Sequence, residues 1–161
     1  MPHTKHSGFE QLAEETKLYP QEKLAEIDAK GHSLYIGMPK EVSLNENRIG
    51  LTPDAVALLI KNGHKVWVEA GAGEKSKFSD REYSEAGATV VESAKEVYQA
   101  TVILKIEPPT DEELEYLKPN QILISALNLV HKDKSYFTKL LEKKVIAIAY
   151  EYIEDRSGGQ P

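Results

Sequence analysis

The 161-residue chain has 40% apolar and 29% charged residues, which is ordinary for a soluble globular domain with its own core. Its net charge of −6 disfavours a nucleic-acid partner, because a phosphate-binding surface needs a basic field. The chain has no cysteine, no apolar run near the roughly 18 residues of a membrane span, and no apolar signal core at its start. We therefore expect no disulfide, no membrane insertion and a cytoplasmic location. The five histidines show no ligand spacing, so we also expect no metal site.

An amphipathic stripe marks the beginning of the chain, and its members are Phe9, Leu12, Ala13, Thr16 and Tyr19. A helix of this kind, outside any strand–helix alternation, usually packs on its own domain or on another subunit. We therefore expect a helical extension over residues 1–33 and one domain over residues 34–161.

From residue 34 onward, short apolar runs typical of buried strands alternate with helical segments. The predicted strands are Leu34–Met38, Lys65–Glu69, Ala88–Val91, Thr101–Ile106, Gln121–Ser125 and Val145–Ala149. The predicted helices are Pro53–Asn62, Asp80–Ala86, Ser93–Ala100, Asp111–Leu117 and Asp133–Lys143. This alternation predicts a three-layer α/β domain, Rossmann-like or flavodoxin-like, with a mostly parallel sheet and helices on both faces.

Polar residues follow the predicted strands at the carboxyl edge of the sheet, where open α/β sheets bind their ligands. Arg48 ends a long polar loop after the first strand, although spacing alone favours a solvated loop charge there. Lys105, Glu107, Asn128 and Glu151 fall at the same edge. Together they predict a polar cluster suited to a small anionic or zwitterionic substrate.

The residues of two other features do not indicate a role in ligand binding. The segment Gly71–Ser76 begins like a dinucleotide fingerprint, but Ser76 stands at the third glycine position and no Gly-Lys-Ser ending follows, so we predict a tight turn. The acidic residues Glu112, Glu113 and Glu115 lie on a helix face that we expect to be solvated. A nucleotide-type fold without a nucleotide loop indicates a domain that works beside another domain.

A series of motifs resembles the alanine dehydrogenase / nicotinamide nucleotide transhydrogenase family and spans about residues 34–152. The motifs are Ile36–Glu41, Asn45–Ile49, Leu51–Pro53, Gly63–Val66, Glu69–Glu74, Phe78–Asp80, Ala86–Ala88, Leu104–Ile106, Gln121–Leu123 and Ala149–Glu151. The resemblance implies the first segment of an N-terminal domain, with the NAD-binding domain absent from this chain. The fragment alone is therefore expected to be inactive.

The resemblance also implies a function and a set of site residues. Full-length alanine dehydrogenases oxidatively deaminate L-alanine to pyruvate and ammonia with NAD, so we expect an amino-acid or keto-acid substrate and a homo-oligomer. Arg48 matches the arginine that grips the substrate carboxylate, a contact suited to its planar fork. Lys105 and Glu151 are the other substrate-binding candidates.

Two positions depart from the alanine dehydrogenase pattern. Glu107 stands where a substrate-contacting lysine is expected, and Asn128 stands where the histidine acid/base is expected. These two are the catalytic candidates, yet asparagine exchanges no proton at neutral pH and can only orient substrate or water. Lys105 and His131 remain open as replacements for the missing base.

Two alternative functions stay open. Transhydrogenase first domains also lack this lysine and histidine, bind NAD(H) and pass hydride to another domain. Arg156 and Gln160 resemble their nicotinamide-contacting loop and are the cofactor candidates in this chain, whereas Tyr150 and Glu151 look more like alanine dehydrogenase. The other alternative is a catalytically inactive relative that binds amino acids.

Overall fold

The computed structural model describes residues 33–129 and 131–154. The helical extension predicted over residues 1–33 therefore lies outside the described residues except at Ser33, and so do the cofactor candidates Arg156 and Gln160.

The described chain forms a six-stranded sheet in which every neighbouring pair is parallel. The strands are β1 (Tyr35–Met38), β2 (Lys65–Glu69), β3 (Thr89–Val91), β4 (Val102–Leu104), β5 (Ile122–Ser125) and β6 (Ile146–Ala149). Their spatial order is β3-β2-β1-β4-β5-β6. This is the doubly wound Rossmann order and not the flavodoxin order, so the predicted Rossmann-like α/β class is confirmed.

Helices connect consecutive strands, as the alternation predicts. They are α1 (Pro53–Lys61), α2 (Asp80–Glu85), α3 (Ala94–Val97), α4 (Asp111–Tyr116) and α5 (Lys134–Glu142), with short 3-10 helices at Glu74–Ser76 and Tyr150–Tyr152. Capping boxes begin two of them, since Ser79 and Thr110 each bond reciprocally with a glutamate three residues on. None of the helices in the described segments is long and apolar enough to cross a membrane.

Helix α3 ends three residues earlier than predicted because the chain there runs close under β1. A Cβ built on Gly37 would lie 2.6 Å from the Val97 carbonyl oxygen, so only glycine permits this approach. After Val97 the chain turns through a hydrogen bond from the Ala100 amide to the Val97 carbonyl (3.0 Å) and enters β4.

The core has two halves, one on each face of the sheet. One half packs α1 and α2 and comprises Ile36, Met38, Val56, Val66, Val68, Tyr83, Ala88 and Val102. The other packs α3, α4 and α5 and comprises Tyr98, Ala100, Ile103, Leu114, Leu117, Leu123, Leu127, Tyr136 and Leu140. Adjacent residues such as Val102 and Ile103 enter opposite halves because successive strand side chains alternate faces.

Strands β1 and β4 are neighbours in the sheet, although β2 and β3 separate them in the chain. The connections leave in opposite directions at this point, which opens a crevice outside the carboxyl ends of the two strands. The loops that follow β1 and β4 therefore form the candidate site.

Candidate functional site at the switch point

Glu41 joins the two loops that border the crevice. Its Oε1 accepts a hydrogen bond from the Ile106 amide (2.6 Å) and its Oε2 accepts one from the Glu107 amide (3.4 Å). The same Oε2 lies 3.4 Å from Lys105 Nζ. Sequence reasoning missed this residue, although it is the last residue of the Ile36–Glu41 motif. Its carboxylate holds the loop after β4 against the loop after β1.

Lys105 is a buried cation, with its side chain 1% exposed. Its Nζ donates to Glu113 Oε1 at 2.8 Å, in addition to the longer contact with Glu41. Glu113 is itself buried, so the expectation of a solvated position is wrong for this residue. Its second oxygen accepts the Thr110 amide of the α4 capping box (2.8 Å), and these two partners offset the cost of burying the carboxylate.

A cavity of about 330 Å³ opens beside this cluster. Among the residues that line it are Glu41, Ser43, Lys105, Glu107, Asn128 and Lys132. The structure therefore brings Lys105, Glu107 and Asn128 together, as the shared sheet edge predicts. Lys132 was missed, because no sequence signal separates it from the other lysines of its loop.

Asn128 sits at the rim of the cavity in a left-handed backbone conformation, with φ of 46°. Asparagine tolerates this region better than most residues. The Glu151 carboxylate accepts hydrogen bonds from the amides of Leu127 (2.7 Å) and Asn128 (3.0 Å) and so supports the turn. Glu151 thus contacts the candidate Asn128 through its backbone.

Arg48 is not among the residues that line this cavity, and it is paired with Glu46. Its Nε and Nη2 donate to the two carboxylate oxygens at 2.9 and 2.6 Å, while its own amide donates to Oε1 at 2.8 Å. The Glu46 side chain is 7% exposed, whereas that of Arg48 is 70% exposed. The Nε and Nη2 edge of the guanidinium is therefore engaged by Glu46, although most of the Arg48 side chain is exposed.

The electrostatics of this pair follow from its geometry. The hydrogen bonds from the Arg48 side chain lower the pKa of Glu46 to about 2. The same pairing, chiefly through the hydrogen bonds with Glu46, raises the pKa of Arg48 above its already high value. The negative charge of Glu107 adds to this rise, so Arg48 and Glu107 are close enough to interact electrostatically.

The segment Gly71–Ser76 folds as a turn that braces the Arg48 loop. Lys75 Nζ donates to the carbonyls of Ser43 (2.6 Å) and Glu41 (3.3 Å), and Ser76 Oγ donates to that of Asn47. The Gly71 amide donates to Asp80 Oδ1 at 2.8 Å. The segment therefore forms the predicted tight turn, and these donors are used within the protein.

His131 lies apart from this cavity. It lines a second cavity of about 260 Å³ with Asp111 and Asp133, and its amide donates to the Asn128 carbonyl at 2.8 Å. Lys132 lines both cavities. Of the two open replacements for the missing base, Lys105 lines the cavity of Asn128 and His131 does not.

The fold and the crevice define a doubly wound α/β domain of the class that binds small ligands at its switch point. Residues 37–161 match the family model described as the N-terminal domain of alanine dehydrogenase/PNT, and the chain belongs to this family. The predicted resemblance is thereby confirmed.

Similar proteins of known sequence or structure include both branches of the family. The chain is 42% identical over 121 residues to an alanine dehydrogenase of Staphylococcus saprophyticus, covering 75% of this chain and 32% of that protein. It is 40% identical over 124 residues to alanine dehydrogenase 2 of Staphylococcus aureus, covering 76% and 33%. A solved L-alanine dehydrogenase superposes with a TM-score of 0.74 at 35% identity, covering 78% and 35%. A transhydrogenase from Sinorhizobium meliloti gives 0.69 at 28% identity, covering 76% and 35%. The chain thus spans about a third of the length of these relatives.

Proposed function

We propose that this chain supplies the substrate-binding domain of an NAD-dependent oxidoreductase similar to L-alanine dehydrogenase, which converts L-alanine to pyruvate and ammonia. The observation that carries the proposal is the convergence of Lys105, Glu107 and Asn128 on one cavity at the switch point, in a chain of this family. The identity of 42% to an alanine dehydrogenase supports the choice of reaction.

Two cations are suited to a substrate carboxylate. Lys105 has three N–H donors, of which two are directed at Glu113 and Glu41, so one remains for a ligand in the cavity. Arg48 keeps the other edge of its guanidinium for a second contact, since Glu46 occupies only the Nε and Nη2 edge. Glu46 and Glu41 would then hold these cations in place rather than contact substrate.

Asn128 and Glu107 take the catalytic roles in this proposal. The Asn128 amide can donate to and accept from substrate or water, but it transfers no proton. Glu107 has a carboxylate at the cavity wall and can accept a proton there. The Glu151 carboxylate accepts a hydrogen bond from the backbone amide of Asn128 and so keeps this residue at the rim.

The proposal assigns NAD to a separate dinucleotide-binding domain. The best candidate loop of the described residues, Gly71–Ser76, uses its amide and side-chain donors within the protein. NAD supplies the hydride acceptor, and the residues of this chain would bind and orient the substrate. The proposal also includes a helical extension over residues 1–33 and a domain over residues 34–161. It further includes homo-oligomeric assembly and a cytoplasmic location.

The test is L-alanine-dependent formation of NADH by the protein that joins this chain to its dinucleotide-binding domain. Arg48→Lys should raise the KM for L-alanine about tenfold or more, because lysine loses the bidentate fork. The matched control is Arg81→Lys, whose arginine is 85% exposed in a surface pair with Glu85. Absence of NADH with L-alanine and with every other amino acid would exclude the proposal. The 161-residue chain by itself should form no NADH.

A second candidate is an NAD(H)-binding domain of a transhydrogenase. The superposition on the Sinorhizobium meliloti transhydrogenase and the presence of Glu107 and Asn128 favour it. It predicts hydride transfer between two nicotinamide nucleotides with no amino acid present. A relative that binds amino acids without turnover is distinguished from both by ligand binding in the absence of any hydride transfer.

A further inference from the structure

Two charged side chains line the cavity at the switch point without contacting an oppositely charged group of the described residues. The backbone amide of Glu107 donates a hydrogen bond to Glu41. Within residues 33–129 and 131–154, however, the Glu107 carboxylate accepts no hydrogen bond and forms no ion pair. Lys132 lines the same cavity with its Nζ 4.8 Å from the centre of the Tyr136 ring. Both side chains are half-buried.

The remaining charges of the site are already matched within the protein. Lys105 is held by Glu113 and Glu41, and Arg48 is held by Glu46. Of the two acidic residues that line the cavity in the described part of the chain, Glu41 contacts Lys105, and Glu107 is the one whose carboxylate has no cation within ion-pair distance. A ligand that carries only a carboxylate would meet like-charge repulsion there, whereas an ammonium group would be attracted.

We infer that Glu107 recognises the ammonium group of the ligand, so that the cavity selects zwitterionic α-amino acids over keto acids and simple carboxylates. The ligand carboxylate then meets the cations that line the same cavity, Lys132 and the remaining N–H donor of Lys105. The volume of about 330 Å³ is at the lower end of the range of ligand pockets and suits a small amino acid. This inference rests on the proposed function and specifies the form of its substrate.

The experiment is a titration of the 161-residue chain with L-alanine, propionate and pyruvate, followed by amide chemical shifts in NMR spectra at pH 7. L-alanine should bind about tenfold or more tightly than propionate, which has the same carbon skeleton and carboxylate but no ammonium group. Glu107→Gln should abolish most of this ratio. Glu142→Gln, the same change at an exposed position outside the cavity, should leave the ratio unchanged.

A substitution of Lys132, the cation in the same cavity, distinguishes recognition of the ammonium group from a structural effect of the substitution. Lys132→Gln should weaken the binding of L-alanine and of propionate by similar factors, because both ligands have a carboxylate. The ratio of their two affinities should therefore be preserved. Lys134→Gln is the matched control, since Lys134 is exposed at the start of α5. Circular dichroism of each variant establishes that it is folded.

Three results would overturn the inference: propionate binding as tightly as L-alanine, a ratio that Glu107→Gln leaves intact, or no binding of any ligand at millimolar concentration. The titration needs no NAD, so its failure is distinct from that of the proposed reaction. Formation of NADH without ammonium selectivity would remove only the role of Glu107. Selectivity for the ammonium group without NADH formation would exclude only the proposed dehydrogenase reaction.

Discussion

Replacing Lys105 by methionine should strongly destabilise the fold. The change keeps the length of the side chain but removes the cation between Glu113 and Glu41, whose oxygens lie 2.8 and 3.4 Å from Nζ. All three side chains are at least nine-tenths buried, so the carboxylates would remain in the interior without a counter-ion. Removing one member of a buried ion pair costs about 3–5 kcal/mol, which is a large part of the roughly 5–15 kcal/mol that holds a domain folded.

Urea unfolding followed by circular dichroism measures this loss. The free energy of unfolding at pH 7 should fall by about 3–5 kcal/mol in Lys105→Met relative to wild type.

The matched control is Lys139→Met, because Lys139 pairs with Asp111 at 3.0 Å on the surface with exposures of 39% and 86%. Its cost should stay below about 1 kcal/mol. The double variant Lys105→Met/Glu113→Gln should recover part of the lost stability, since glutamine keeps a carbonyl oxygen for the Thr110 amide. A loss below about 1 kcal/mol for Lys105→Met, or a loss no larger than that of Lys139→Met, would refute the reasoning.

Three further predictions concern single positions. Asn128→Val should lower stability by about 1–2 kcal/mol and Asn128→Gly should be nearly neutral in thermal unfolding, because φ is 46° and a β-branched residue is strained there. Glu46→Gln should cost about 1 kcal/mol at pH 7, since the Arg48 partner is 70% exposed. The carboxyl pKa is lowered from 4.5 to about 2, so the contribution of Glu46 is complete above pH 4.5 and is lost as the pH falls towards 2. Gly37→Ala should cost about 1–3 kcal/mol or more in urea unfolding, because its Cβ would lie 2.6 Å from the Val97 carbonyl oxygen.

Each of these predictions has its own internal comparison. Equal melting temperatures for the valine and glycine variants at position 128 would contradict the strain argument. A wild-type advantage over Glu46→Gln that persists unchanged at pH 2 would contradict the assigned pKa. Gly50→Ala is the control for Gly37 and should cost less, since the nearest atoms to its Cβ would belong to the flexible Leu104 side chain, at 3.1 Å, and the nearest backbone atom would be 3.7 Å away.

The order and type of the elements were predictable because their signals are local. Apolar runs, capping residues and the Asn62-Gly63 helix end place β2 at Lys65–Glu69 and start α1 at Pro53, as predicted. The early end of α3 was not predictable, because it depends on the close approach of Val97 to Gly37 on a distant strand.

The shared location of three candidate site residues was predictable, but their contacts were not. The sheet edge and the family motifs point to Lys105, Glu107 and Asn128, and the structure gathers all three at one cavity. Glu113 was misjudged because a capping-box glutamate has the same sequence signature whether its helix face is solvated or covered. Lys132 was missed because its role depends on where the loop after β5 returns.

The amino-acid sequence by itself determined the strand–helix alternation, the family and the candidate residues, since periodicity, caps and motifs are encoded by neighbours along the chain. Only the tertiary structure decided which charges meet. The β3-β2-β1-β4-β5-β6 order places β1 beside β4, so Glu41 bonds to an amide 65 residues away and holds the loop that carries Glu107. Contacts of that separation depend on strand order, which no local pattern encodes, and they determine which carboxylate is buried in an ion pair and which lines the cavity without one.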